Sequence, residues 1–224
     1  MNSAEIDYLS VDRVLKRGTG EVLESRGNTL FAYDRVSGAH FLRADSPAEG
    51  LDILTRHAGR DIRLLMAFDA RLGQAAYDRL GCAGKLECHQ VAWLGPPPVL
   101  TPRLTLRTAD EGDLPLLTKT YDLISPEELA RVVERRSLLL GYREGSPVGF
   151  IGEHLEGSMG LLYVFPEYRR QGYALELEKR CIIRTLDQGF IPFGQVEKSN
   201  RASLALQQKL GMTASENLIW WMWK

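Results

Sequence analysis

Apolar positions along the chain alternate between two periods. Short runs repeat every second residue, and longer stretches repeat every three or four, the mark of strands interleaved with helices. The second half reads most clearly. Residues 104–108 alternate and predict a strand. Residues 110–123 open on acids, which the positive end of a helix dipole favours, and predict a helix. Ser125, Pro126, Glu127 and Glu128 open another, with Ser as cap and Pro at the first helical position. Strands are expected at 137–142 and 148–154, joined by a turn at 143–147. A third, at 159–165, is almost wholly apolar and is expected to be buried on both faces. A long helix follows over 167–189, then a strand at 190–196, a helix at 201–210 capped by Asn200 and ended by Gly211, and a closing strand at 218–223. The order implies an α/β (α+β) layer structure, with helices flanking a mixed, mostly antiparallel central sheet.

The first half ends in the same syntax: strand at 61–68, helix at 70–80, stop at Gly81, strand at 87–94. A shift of 130 residues lays Leu80-Gly81 on Leu210-Gly211, Ala75 on Ala205 and Trp93 on Trp223. The register holds over about 30 residues without a gap, which favours an internal duplication. Three consecutive prolines, Pro96 to Pro98, can neither continue a helix nor donate to a sheet. They divide the chain into 1–95, a linker at 96–102, and 103–224.

Composition narrows the field. Of 224 residues, 44% are hydrophobic and 25% charged, and the formal net charge is −1. A broad nucleic-acid footprint is not expected from that balance. No apolar run approaches the length that spans a bilayer, and the first residues carry no signal-peptide core, so no membrane partner and a cytoplasmic location are expected. Cys82, Cys88 and Cys181 lie at no metal-ligand spacing and are expected to be reduced thiols. His40, His57 and His89 are equally scattered, so no metal is proposed. The oligomeric state is left open.

The chemistry-bearing segment is Leu161 to Ala174, which runs from an apolar strand through a short loop into a helix. Arg169, Gly172 and Ala174 fit the pattern Arg/Gln-x-x-Gly-x-Gly/Ala. A helix N-terminus presents unpaired N–H groups and a positive dipole end, so it holds anions. Gly172 lets the backbone approach a ligand closely. Ala174 keeps the first turn slim, and Arg169 and Arg170 add charge where a pyrophosphate would sit. A strand that diverges from its neighbour offers free N–H and C=O groups to an extended amide ligand. Diphosphate at one end and a peptide-like arm at the other describe coenzyme A.

This segment resembles motif A of the GNAT superfamily of acyl-CoA-dependent N-acyltransferases. The stretch from Asn200 to Met212 resembles that family's motif B. The Pro-Glu-Tyr-Arg run, the Asn200 segment and the Trp-rich last strand look most like the glycine N-acyltransferase-like branch, whose members carry a degenerate N-terminal half of related fold. The resemblance implies a GNAT fold, here a tandem pair with acetyl-CoA as co-substrate. It implies that the backbone of Leu162, Tyr163 and Val164 holds the pantetheine arm. The loop of Arg169, Arg170, Gln171, Gly172, Tyr173 and Ala174 would hold the pyrophosphate, and Asn200 would contact the arm or order the loop above it. An N–H near Tyr163 or Val164 would polarise the thioester carbonyl. The acceptor implied is a small-molecule amine or an amino acid.

Two positions depart from the family. Where several relatives carry a general-base Glu this chain has Ser158, and where many carry an acid Tyr it has Gln207. Neither replacement titrates near neutrality. Three substitutes remain open: Glu156 acting through water, His154 with its suitable intrinsic pKa, or capture of already neutral amine with the rate coming from positioning. A catalytically weak acyl-CoA-binding or sensory module is the alternative function. Tyr77, which the 130-residue shift places in the motif-B tyrosine slot, lacks an accompanying loop and reads as structural.

Overall fold

The computed structural model describes residues 3–224. The first half contains α1 (Ser3–Ile6), α2 (Leu9–Lys16), β1 (Gly20–Arg26), β2 (Thr29–Asp34), β3 (Ala39–Arg43), α3 (Pro47–Arg56), β4 (Leu64–Ala67), α4 (Ala70–Leu80) and β5 (Gly84–Ala92). The second contains β6 (Thr105–Thr108), α5 (Leu114–Thr120), α6 (Pro126–Glu134), β7 (Leu138–Arg143), β8 (Ser146–Glu153), β9 (Met159–Val164), α7 (Tyr173–Asp187), β10 (Phe193–Glu197), α8 (Arg201–Leu210) and β11 (Thr213–Trp223).

All eleven strands form one sheet, in the order β1-β2-β3-β4-β11-β5-β10-β9-β8-β7-β6. Only β3–β4 and β9–β10 run parallel; the other pairings are antiparallel. The 130-residue shift carries β4 onto β10, α4 onto α8 and β5 onto β11. Asp69 caps α4 and Asn200 caps α8, and both helices stop at a left-handed glycine, Gly81 and Gly211. The last strands have changed places. β11, from the end of the chain, is hydrogen-bonded between β4 and β5, while β5 extends the second half by pairing with β10.

Four helices cover one face of the sheet and four the other. Apolar residues of α3 and α4 pack with Phe31, Leu42, Trp220 and Met222, and those of α7 and α8 pack with Val148, Ile151 and Met159. On the opposite face α2 packs with Phe41 and Met66, and α5 and α6 with Leu138, Leu140 and Phe150. Gly73 shows how tightly the exchanged strand is seated: a Cβ there would lie 2.5 Å from the Trp220 ring. Burial pushes the Cys88 thiol up to about 12, and all three cysteines are free.

Several elements differ from expectation, each for a local reason. The helix expected at 110–123 is a 3-10 turn at 111–113 followed by α5, because Asp110 and Asp113 form a capping box that starts a new helix with Pro115 in its first turn. The helix expected from 167 begins at Tyr173. Arg170 and Gly172 take left-handed backbone angles that no helix contains. Pro192 delays β10 to Phe193, and β11 starts early, at Thr213, across an irregularity between Ala214 and Leu218. β9 is not buried on both faces: Leu162, Tyr163 and Val164 are half-buried, since the strand leaves its neighbour there. Residues 93–104 hold no regular element.

The strand exchange makes a prediction about fragments. A chain of 103–224 alone keeps β11 but loses both of its partners, leaving Trp220, Trp221 and Met222 without a sheet. It should aggregate or stay non-cooperative in urea, and fold when mixed with 1–95. A monomeric 103–224 with a dispersed amide spectrum and a cooperative transition would contradict this.

Candidate functional site

The site begins with a missing ladder. β3 and β4 pair over four positions, from Ala39↔Leu64 to Leu42↔Ala67. Their counterparts β9 and β10 pair at Gly194↔Met159 alone. A bulge contributes: two steps along β8, from Phe150 to Gly152, oppose three along β9, from Tyr163 to Gly160. Buried Leu161 takes a left-handed φ of 55° there, and such bulges bend the strand that carries them. Beyond Met159 the two strands diverge. The Phe165 N–H still donates to Val148 on the β8 side, at 2.9 Å. Backbone direction alternates along a strand, so the Val164 N–H and C=O face the gap, and Leu162 shares that side.

The loop at the open end forms a cradle of main chain. Gly172, with φ of 87°, opens α7 and provides no side-chain cap, whereas Ser46, Asp69, Ser125 and Asn200 cap α3, α4, α6 and α8. The first N–H groups of α7 therefore have no side chain bonded across them. Arg169 is turned back: its Nε donates to the Val164 carbonyl at 2.9 Å and its guanidinium lies over the Tyr163 ring. Arg170 is exposed at the lip. Gln171 donates from Nε2 to the Glu167 carbonyl. The Tyr173 ring is buried, with its hydroxyl 2.5 Å from Arg143 Nη1, so only its main chain faces the cradle. Asn200 stands on the opposite lip, past the end of β10, its Oδ1 accepting from the Ser203 N–H at 3.1 Å.

Arg103 was not singled out from the sequence. Its Nη1 donates to the Gln171 carbonyl at 3.0 Å, its guanidinium covers the Tyr173 ring, and Glu176 holds it through an ion pair of 3.6 Å. A Cβ on Gly172 would lie 3.1 Å from Arg103 Nη2. A fixed cation thus stands beside an uncapped helix N-terminus, and both favour an anion. Nothing in its sequence surroundings marks it, because it sits 66 residues before Arg169 in the linker-side chain.

The three residues proposed for catalysis lie together at the β8–β9 turn. Ser158 Oγ donates to the Glu156 carboxylate, and both side chains are buried. The His154 ring lies on Gly160; a Cβ there would be 2.5 Å from its Nε2. Helix α2 of the first half clamps the turn, with Arg17 Nη2 donating to the Leu155 carbonyl at 2.7 Å and Arg13 paired to Glu153 at 3.4 Å. Glu128 of α6 approaches both His154 and Glu156, and burial holds its carboxyl above the usual range. This group sits beside the closed end of the fork. The cradle lies at the other end, roughly 16 Å of strand away.

A second carboxyl is buried on the other face. Glu178 of α7 is 5% exposed, and its Oε1 accepts from Gln207 Nε2 of α8 at 2.9 Å. Burial pushes its carboxyl up to about 7. The helical spacing carried the signal: Ala174, Glu178 and Ile182 recur every four residues, so an acid falls on the face that packs inward. On the side of α2, Trp221 Nε1 donates to Gln195 Oε1 at 2.6 Å, and Gln195 Nε2 donates to Ser10 Oγ. Trp220 packs in the core of the first half. Among the described residues no group of three or more His, Cys, Asp and Glu is placed to hold a metal, and no helix is long and apolar enough to cross a membrane.

The corresponding place in the first half is closed. β3 and β4 stay paired, and Ser46 and Asp69 already bond the N-termini of α3 and α4. Asp45, Asp69 and Arg71 line the small cavity there, with Arg71 paired to Asp69 at 3.8 Å. Tyr77 packs at the edge of the core beneath α4.

A mixed sheet with one forked parallel pair, flanked by helices, is the GNAT fold. Residues 106–212 match the model of the Acetyltransferase (GNAT) family, which supports a GNAT-superfamily acetyltransferase domain in the second half. Solved structures share the whole architecture at low sequence identity. A Drosophila protein is 15% identical with a TM-score of 0.65, and the match covers 100% of this chain and 97% of that one. The GCN5-related N-acetyltransferase from Kribbella flavida is 11% identical with a TM-score of 0.60, covering 99% and 95%. An acetyltransferase of the GNAT family from Colwellia psychrerythraea is 11% identical with a TM-score of 0.55, covering 100% and 98%. No curated protein matches the chain.

Glu178 makes stability depend on pH in a stated direction. The folded chain keeps its proton up to about 7, while an unfolded carboxyl loses it near 4.5. This contribution is complete at low pH and is lost as pH rises through that window. Glu178→Gln cannot ionise and keeps it. The variant's stability relative to the parent should therefore grow between pH 4.5 and 8, by on the order of 1–3 kcal/mol. Urea unfolding at several pH values checks this; a difference that does not vary with pH would contradict it.

Proposed function

We propose that the chain is an acyl-CoA-dependent N-acyltransferase, moving the acyl group of acetyl-CoA to the amine of a small molecule or amino acid. One observation carries this: the uncapped, left-handed start of α7 at Gly172 lies at the mouth of the β9–β10 fork. An anion cradle and an open strand edge in series match a diphosphate joined to an amide-bearing arm. Arg103 and Arg170 supply positive charge at the cradle, and the backbone of Leu162 to Val164 receives the arm. Asn200 orders the far lip.

When bound, acetyl-CoA supplies an activated acyl carbon. The chain's work is to place that carbon and to manage protons. An N–H near Tyr163 or Val164 polarises the thioester carbonyl. Glu156 or His154, on the face covered by α6 and α2, takes the proton that the amine gives up; an amine already neutral on arrival needs only positioning. The acids Glu128 and Glu156 there favour a cationic or amine-bearing acceptor. On this proposal 103–224 is the catalytic half, 96–102 the linker, and 1–95 a degenerate half that walls the acceptor side. The closed β3–β4 pair and the occupied helix ends support that division. The 130-residue repeat and the Trp-rich β11 support the glycine N-acyltransferase-like branch, and three free cysteines support a cytoplasmic setting.

The replacement of Tyr by Gln at 207 and of Glu by Ser at 158 favours a second reading, an acyl-CoA sensor without turnover. Two measurements decide. Gly172→Glu puts a carboxylate into the cradle and should abolish acetyl-CoA binding in calorimetry; an unchanged affinity refutes the placement. Thiol release from acetyl-CoA over a panel of amines should reveal an acceptor. Tight binding with no turnover on any of them would favour the sensor.

A further inference from the structure

The arginines at the cradle are engaged in different ways. Arg103 is fixed by the Glu176 carboxylate and the Gln171 carbonyl. Arg170 is exposed on a left-handed turn with φ of 60°. Arg169 lies three residues before Gly172 and is spent on the fork instead. Its Nε donates to the Val164 carbonyl at 2.9 Å, and its guanidinium stands 5.4 Å from the centre of the Tyr163 ring.

That carbonyl belongs to the strand edge that faces the gap. The Phe165 N–H is taken by Val148 on the β8 side, so the main chain of Val164 points the other way. Arg169 therefore occupies an acceptor that an amide-bearing arm would use. The strengths of the rival partners decide which wins. A guanidinium is a charged donor and an arm's amide N–H is a neutral one, so the arm alone cannot displace Arg169 from the oxygen. A diphosphate is a charged acceptor and the carbonyl a neutral one, so a diphosphate can. Charge-assisted contacts of that kind are roughly twice as strong as neutral ones, and a phosphate meets the guanidinium fork with two parallel bonds. The carbonyl and the ring are the contacts that hold Arg169 among the described residues, and no carboxylate there is paired with it. The side chain is exposed, so a change of partner disturbs no core packing.

We propose that Arg169 selects the donor: in the free chain it covers the Val164 carbonyl and weakens the fork for the arm, and it releases that carbonyl when a diphosphate at the cradle takes its guanidinium. This rests on the acyltransferase assignment. The two ends of the donor then bind cooperatively, and linkage makes the effect reciprocal. A thioester on a nucleotide diphosphate is favoured over the same thioester on a bare pantetheine arm, beyond what the phosphate contacts alone contribute. One exposed charge-assisted hydrogen bond and one exposed cation–π contact set the coupling at about 10-fold.

The test titrates the full chain with two pieces of coenzyme A, pantetheine and adenosine 3′-phosphate 5′-diphosphate, by calorimetry and NMR. The parent should bind pantetheine about 10-fold more tightly once the nucleotide piece is saturating. Without that piece, Arg169→Ala should bind pantetheine about 10-fold more tightly than the parent does, and adding it should leave the variant's affinity for pantetheine unchanged. The Val164 carbonyl 13C resonance reads the release with no arm present. The nucleotide piece alone should move it in the parent toward its position in Arg169→Ala, and should leave it unmoved in the variant. A parent that binds coenzyme A but shows an unmoved Val164 resonance overturns the inference and leaves the acyltransferase assignment standing. So does an Arg169→Ala variant that takes pantetheine no better than the parent. A parent that binds neither coenzyme A nor the nucleotide piece overturns the assignment and this inference with it.

Discussion

Everything in the second half depends on a parallel strand pair that fails to close. A ladder between β9 and β10 beyond Gly194↔Met159 would satisfy the backbone groups of Leu162 and the N–H of Val164 within the protein; the Val164 carbonyl already accepts from Arg169. Its absence leaves a strand edge inside the sheet, where an unpaired amide costs on the order of 1–3 kcal/mol unless solvent or ligand answers it. The bulge at Leu161 starts the divergence, and the left-handed turn at Arg170 to Gly172 sets a bare helix end at its mouth. The first half supplies an internal control, because the same topology, with β3 and β4 laddered over four positions and both helix ends capped, leaves no such opening.

The exchange of last strands ties that opening to the rest of the molecule. β5 forms the outer support of β10, so the far wall of the fork is held by a strand of the first half. Gln90 of β5 and Gln195 of β10 meet across that pairing and share Ser10 of α2. Arg13 of α2 and Arg17, just past its end, fix the β8–β9 turn that carries His154, Glu156 and Ser158. The first half, whose own parallel pair stays laddered, thus supports two sides of the fork in the second.

Much of this was legible in the residue pattern, and the exceptions have physical causes. The strand–loop–helix around Gly172, the caps at Ser125 and Asn200, and the 130-residue register are local signals, and the structure contains each of them. The exchanged strands leave no local trace, because β5 and β11 present the same alternation whichever neighbour they meet. Arg103 was invisible for a similar reason: its partners Gln171, Tyr173 and Glu176 come from a segment about 70 residues away. Glu178 was hidden inside a helix read for its apolar positions, although its spacing from Ala174 and Ile182 placed a charge where none is expected. The apolar run of β9 misled in the opposite direction, since it reads as a doubly buried strand while one of its edges opens onto the fork.

The central claim is that the main chain of the β9–β10 fork and the start of α7 together form one ligand surface. Backbone amide NMR during a titration with coenzyme A tests it residue by residue. The account predicts saturable shifts and slowed hydrogen exchange at Leu162, Val164 and Gly172 through Leu175, with none at the equivalent end of β3 and β4. Unperturbed amides at those positions under saturating coenzyme A, or shifts confined to the first half, would contradict it.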